Sequence, residues 1–237
     1  MTARILVGCP TSEHKAYCLE EYVQGIKRLS YPKFDFLFVD NSKSDAYTKK
    51  IKQLGCMAVK GPYLPYAKDR IVASRNLLRE KVLNERYDYF LSLEQDVIPP
   101  VDVIEQLLVH HKDVISGLVF TQYEIKGEKK IKPLLWGFSD AEDRMRFMDD
   151  AVAQPGLYRI KACGLGCILI SRRVFEKISF RLYDNKSTFD DIPFCDDCHT
   201  NGITLFADTH VKCRHLISGM DWDKIDREEK DAGSRRL

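Results

Sequence analysis

Short apolar runs and amphipathic stretches alternate along the first 120 residues. Residues 5–9 are an apolar run closed by Pro10, which predicts a buried strand. Residues 13–29 place Ala16, Leu19, Tyr22, Val23, Ile26 and Leu29 at helical spacing, and Ser30, Tyr31 and Pro32 stop that helix. Residues 34–39 predict a second strand that ends in Asp40-Asn41-Ser42. A helix over 45–54, with Gly55 as its C-terminal signal, leads to a short third strand at 56–59. After the loop at 61–65, residues 67–82 predict a helix with Ile71, Ser74, Leu77, Leu78 and Val82 inward. A strand over 87–93 runs into Glu94-Gln95-Asp96, and a helix over 101–108 precedes a fifth strand at 114–120. This strand–helix rhythm demands an α/β fold whose central sheet is mostly parallel and sandwiched by helices.

The rhythm breaks after residue 120. Residues 121–156 combine Gly127, a lysine cluster, Pro133 and Trp136 with an acidic stretch, and predict an irregular, partly mobile segment. One or two strands are expected around Gly164-Leu165-Gly166, a short helix over 172–178, and a helix over 191–201 closed by Gly202. Short strands at 205–207 and 211–213 imply a small antiparallel C-terminal part. The charged residues 221–237 read as a peripheral tail. No repeat or linker divides the chain, so a single domain over 1–237 is expected.

Composition narrows the function classes. The chain has 237 residues, 44% hydrophobic and 30% charged, with a formal net charge of +2, as expected of an ordinary folded protein. The basic bias of a nucleic-acid binder is missing. No apolar run approaches the roughly 20 residues of a membrane span, and the N-terminus carries no signal-peptide pattern. The expectation is a cytoplasmic protein whose membrane contact, if any, is peripheral. In that setting its eight cysteines read mostly as small apolar core residues.

Three places could carry chemistry. Glu94 and Asp96 leave a strand at the sheet edge where parallel α/β proteins bind ligands. In an extended segment, residues two apart point the same way, so the two carboxylates would converge on a divalent ion and a diphosphate. The plain alternative is a solvated acidic strand end. Asp190 and Asp191 open a helix, where acids serve equally well as caps. His210 and His215 follow short strands, and either is a candidate ligand. A competing set, Cys195, Cys198, Cys213 and His215, could hold structural zinc. No glycine-rich phosphate loop follows the first strand, so a nucleotide phosphate would need a metal and basic side chains. Lys68, Arg70, Arg75 and Asn76 on the helix before the acidic triplet offer the latter.

Taken in order, these segments resemble the GT-A (Rossmann-like) fold of nucleotide-sugar glycosyltransferases, in particular the inverting family two group. Cys9-Pro10-Thr11 and Val39-Asp40-Asn41 resemble the places that hold uracil and ribose. Ser74-Arg75-Asn76-Leu77 resembles the A-R-N-x helix, and Leu93-Glu94-Gln95-Asp96-Val97 the D-x-D motif with Glu in first position. Asp190-Asp191-Ile192-Pro193-Phe194-Cys195 resembles the E-D-x-x-F-C segment, and Val211-x-Cys213-x-His215 the closing metal segment. The resemblance implies a nucleotide-binding half over 1–120 and an acceptor half over 121–220. It implies metal ligands Glu94, Asp96 and His215, with His215 favoured over His210. Donor contacts would come from Pro10, Thr11, Asp40, Asn41, Lys68, Arg75, Asn76 and Gln95, with Asp191 as catalytic base. The cofactor would be Mn²⁺ (or Mg²⁺), an imidazole ligand tilting the choice to Mn²⁺. The partners would be a nucleoside-diphosphate sugar, UDP by resemblance, and a carbohydrate, lipid-linked or small-molecule hydroxyl acceptor. Trp136 could stack on that acceptor, and 121–156 could close as a lid. The rivals are a sugar-phosphate nucleotidyltransferase, which Pro10 in place of a glycine-rich loop disfavours, and a zinc-stabilised or inactive binding module.

Overall fold

The N-terminal apolar run is β1 (Ile5–Thr11), and its alternate side chains enter two different cores. Leu6 packs with Leu78, Val82 and Phe90, whereas Ile5 and Val7 pack with Leu19, Tyr22 and Phe38. A strand buried on both faces is what an unbroken apolar run encodes. The structure, a computed structural model, describes residues 2–139 and 145–216. The tail expected over 221–237 lies outside these described residues.

β1 pairs in parallel with β2 (Phe34–Asp40) on one side and with β4 (Tyr89–Leu93) on the other, while β3 (Ala58–Lys60) extends the sheet beyond β2. The second half adds β5 (Val114–Leu118), β6 (Leu157–Ile160), β7 (Cys167–Ser171) and β8 (Leu205–Lys212). The resulting eight-stranded sheet has the order β6-β8-β5-β7-β4-β1-β2-β3. It is mixed and mostly parallel: β7 runs antiparallel between β4 and β5, and β6 antiparallel to β8. Helices α1 (Leu19–Lys27), α2 (Ala46–Gln53) and α4 (Val103–Leu108) cover one face. α3 (Ala67–Asn84), α5 (Asp149–Ala153), α6 (Arg172–Phe175) and α7 (Asp191–Thr200) cover the other.

Four local expectations change. The helix over 13–29 is a 3₁₀ segment, Glu13–Cys18, followed by α1. In α3, Leu77 faces outward at 44% exposure and a charged residue, Arg75, takes the inward position. The segment after 120 is ordered as a hairpin, Phe120–Ile125 against Glu128–Pro133. Lys126 (φ 54°) and Gly127 (φ 78°) both adopt left-handed backbone, as a tight two-residue hairpin requires. Leu135–Phe138 then pairs with Met145–Phe147 and with Ala162–Cys163 in a small antiparallel sheet. The two strands expected at 205–207 and 211–213 are one strand, β8, with its register shifted between Ala207 and Lys212.

The zinc set does not converge. Cys195 and Cys198 lie in the core beneath α7, and Cys213 in the core on the other face. All eight cysteines are free, and among the described residues no three His, Cys, Asp or Glu side chains gather as a metal cluster. Among those residues, no helix is long and apolar enough to cross a membrane.

At Gly8 the sheet and α3 come so close that an added Cβ would lie 2.3 Å from the Phe90 ring and 2.9 Å from Leu78. Phe90 cannot yield freely, because its ring packs on Phe175 at 5.6 Å. Gly8→Ala is therefore expected to destabilise the fold by about 1–3 kcal/mol through overpacking, read as a lower urea midpoint with an unchanged slope.

Candidate active site

The carboxyl ends of β1, β2 and β4 open into a cavity of about 410 Å³. Its wall includes Pro10, Thr11, Asn41, Arg75, Glu94 and Gln95, all expected from the sequence, and Asp191 from the start of α7. Lys15, His14 and Phe189 also line it, and the sequence reading had not singled them out. Asp40, Lys68, Asn76, Asp96 and His215 are not part of this wall.

The acidic triplet is a turn. β4 ends at Leu93, the Val97 N–H donates to the Glu94 carbonyl at 2.9 Å, and the Glu94 N–H donates to the Gly166 carbonyl at 3.0 Å. The chain bends here because Val97–Ile98 must turn away to pair with Arg214–His215. The side chains at 94 and 96 therefore diverge, unlike those of an extended segment. Gln95 points inward, where its carboxamide accepts from Thr11 and Tyr47 and donates to the Lys15 carbonyl.

Glu94 turns to Arg75. That guanidinium, only 1% exposed, donates to Glu94 Oε1 at 2.5 Å and to Ser92 Oγ at 2.6 Å, and its Nε lies 2.9 Å from Asp190 Oδ2. Burial works against the charged guanidinium, but Asp190 and Glu94 more than offset it and raise its pKa. The Nε–Asp190 contact is short without hydrogen-bond alignment, so it acts as an ion pair.

Asp96 forms a second centre. Its side chain is 4% exposed, and Oδ2 meets the Lys15 ammonium and, at 3.2 Å, His215 Nε2. The antiparallel pairing of His215 with Val97 carries that imidazole to the turn from far along the chain. His215 Nδ1 lies 2.7 Å from the Phe120 carbonyl, which can only accept, so Nδ1 carries a proton. Burial pushes the Asp96 carboxyl up, but the His215 hydrogen bond and the Lys15 charge outweigh it and hold it at about 2. Asp96 Oδ1 is buried without a donor. A carboxylate with one orphan oxygen beside a ring nitrogen is a donor set that fits a divalent cation. Asp96 and His215 are thus together, while Glu94 is engaged by Arg75.

Asp190 and Asp191 divide their tasks. Neither makes the expected side-chain N-cap: Asp190, at the helix start, pairs with Arg75. Asp191 Oδ1 accepts the Ile192 N–H at 2.9 Å, and the residue lines the cavity. Burial pushes its carboxyl up to about 6, and the negative charges of Asp190 and Glu94 add to the shift.

Other expected donor residues have structural partners. Asp40 accepts from Ser42 and Thr48, fixing the turn after β2. Asn76 clamps Phe180 through both backbone groups, and Lys68 reaches the Lys186 carbonyl. His210 pairs with Asp208, away from this cavity. Trp136 packs half-buried against Phe147 and the core rather than on the cavity wall.

In sequence, the chain matches no family model and no curated protein. Solved structures do match. The mannosyltransferase PcManGT from Pyrobaculum calidifontis, in complex with GDP-Man and Mn²⁺, aligns with a TM-score of 0.61 at 12% identity, over 90% of this chain and 56% of its own. S. aureus TarS aligns with a TM-score of 0.55 at 13% identity, over 95% of this chain and 39% of its own. TarS 1-349 in complex with UDP gives 0.52 at 13%, over 87% and 60%. The fold is GT-A. The chain spans 39% to 60% of the length of these solved structures.

The GT-A cavity rests on Arg75, and Arg75→Met would leave Glu94 and Asp190 without their shared counter-charge. A loss of about 3–5 kcal/mol is expected, as for a buried pair deprived of one partner. Arg75→Lys should fall between, since one ammonium cannot reach Ser92, Glu94 and Asp190 together. Guanidinium denaturation of the three proteins checks the order.

Proposed function

We propose that this chain is a metal-dependent inverting glycosyltransferase that moves a sugar from a nucleoside-diphosphate sugar to a hydroxyl acceptor. The observation that carries the reading is geometric: Asp191 and Glu94 line one cavity at the carboxyl ends of the strands, and Asp96 meets His215 at the turn that ends the same strand β4. The complexes of the structural neighbours with GDP-Man and Mn²⁺, and with UDP, support the donor class. A UDP-sugar remains our preferred donor. The work is assigned to the cytoplasm, at a peripheral membrane surface if the acceptor is lipid-linked.

In this reading, Asp96 and His215 would hold the cation, with Glu94 as the third ligand once it leaves Arg75. A bound Mn²⁺ would supply Lewis-acid neutralisation of the charge building on the leaving diphosphate. Pro10, Thr11 and Asn41 receive the nucleoside, and Gln95 stiffens that wall from behind. Asp40, Lys68 and Asn76 serve the donor indirectly, by fixing the loops around it. Asp191 accepts the proton of the acceptor hydroxyl. The acceptor oxygen bonds to the anomeric carbon, and the electron pair of the broken bond leaves on the diphosphate. Arg75 positions this base by anchoring its neighbour Asp190.

Two experiments test the reading. Asp96→Ala should abolish Mn²⁺-dependent binding of UDP or GDP in calorimetry, and unchanged binding would remove the metal role. Asp191→Asn should keep nucleotide binding but lose transfer by roughly 10²–10⁴-fold, and wild-type transfer should fade as pH drops through about 6. The stability sign follows from the raised value. Asp191 costs the fold nothing below the ordinary carboxylate range, and its full cost appears once pH rises past about 6. Asp191→Asn should therefore melt at a higher temperature than wild type at neutral pH. An active Asp191→Asn enzyme would eliminate Asp191 as the base.

A further inference from the structure

Lys15 occupies Asp96, a carboxylate that the metal reading requires. Its ammonium contacts Asp96 Oδ2, with the lysine side chain 37% exposed and that of Asp96 4% exposed. The Lys15 backbone is fixed: its N–H donates to the Ser12 carbonyl at 2.9 Å, and its carbonyl accepts from Gln95 Nε2 and the Cys18 thiol. Its ammonium is held by Asp96 at the end of a four-carbon stem, and the residue lines the cavity. A divalent ion on Asp96, even at the orphan Oδ1, would sit close enough to the ammonium on Oδ2 to repel it strongly. When a divalent ion takes Asp96, the ammonium must go elsewhere, and the cavity it already lines is where a diphosphate would bring negative charge.

We propose that Lys15 is a tethered, exchangeable cation. It neutralises Asp96 in the nucleotide-free chain and moves to the donor diphosphate when the divalent ion takes its place. This inference rests on the metal reading above and deepens it. It makes ion and nucleotide cooperative: the ion alone binds weakly because it must displace Lys15, and the nucleotide helps by giving the displaced ammonium an anionic partner.

The test is calorimetric titration of Mn²⁺ without nucleotide, then of UDP at saturating Mn²⁺. Lys15→Met and Lys15→Gln should each bind Mn²⁺ alone about tenfold more tightly than wild type, and UDP about tenfold more weakly, a coupling of ordinary size. Lys15→Arg should keep the weak, wild-type affinity for Mn²⁺. Thermal unfolding identifies which variants are folded, and having two neutral variants keeps the test available if one is not. A folded neutral variant with unchanged or weaker Mn²⁺ affinity overturns the role of Lys15. The two readings fail separately. If wild-type UDP binding ignores Mn²⁺, the metal reading falls and this one with it. If Mn²⁺ dependence is present and the neutral variants match wild type, only the role of Lys15 falls.

Discussion

A single buried guanidinium sets the geometry of the cleft. Arg75 leaves α3 where the helix would otherwise present an apolar side chain, and it gathers Ser92 and Glu94 from the end of β4 with Asp190 from the start of α7. Such a charge cannot be buried alone, so the two acids must come to it. A triad of this kind adds little net stability compared with apolar packing. What it contributes here is position: with Asp190 held, the backbone of Asp191 is fixed at the cavity wall, facing the end of β4 across the cleft. The 3.6-residue period would have put Leu77 inside. The carboxylates instead select Arg75, and Leu77 is left in solvent.

Sheet topology supplies the rest of the arrangement. Because β7 runs antiparallel between β4 and β5, its entry loop reaches the carboxyl end of β4 and hands the Gly166 carbonyl to the Glu94 N–H. Gly166 also leaves room there, since an added Cβ would lie 3.3 Å from Val97 and 3.8 Å from Glu94 Oε2. Beyond the main sheet, pairing of Arg214–His215 with Val97–Ile98 completes the second centre. Ligand sites of α/β sheets lie at strand carboxyl ends for this reason: each strand can deliver one side chain or turn to a common point while the sheet behind stays rigid.

The first half of this architecture was legible because its central strands are buried on both faces and its first two helices are followed by Pro32 and Gly55. Five of the six elements from β1 to α3 follow the expected bounds to within a residue or two, and the first helix differs by its 3₁₀ start. The second half hid its order. In the hairpin after 120, half-buried Thr121, Tyr123 and Ile125 alternate with exposed Gln122 and Glu124, but the period is short and its partner opens with three exposed charged residues, Glu128, Lys129 and Lys130, that carry none. The turn at Glu94-Gln95-Asp96 was invisible because it depends on a strand pairing with residues more than 100 positions away. For the same reason, the proximity of His215 to Asp96 came only from resemblance, never from spacing. Lys15 had no signal at all: one lysine in a short polar 3₁₀ segment looks like any solvated residue, and its importance comes from the buried carboxylate it faces.

The chemistry of the cleft follows from how two buried acids are partnered. Burial alone pushes any carboxyl up, and it does so at both Asp96 and Asp191. At Asp96 an ammonium and an imidazole reverse the effect, so the carboxylate stays charged and is suited to holding a cation. At Asp191 the nearest acids, Asp190 and Glu94, reinforce it, and Arg75, already engaged by those two, offsets it least. The carboxyl is left close to the value at which it can take a proton from a hydroxyl and release it again. Arg75 therefore sets the geometry, while the asymmetry comes from burial at Asp191 and from His215 and Lys15 at Asp96. Arg75 pairs directly with Asp190 and Glu94, and among the described residues Asp191 at the cavity wall has no ion-pair partner of its own.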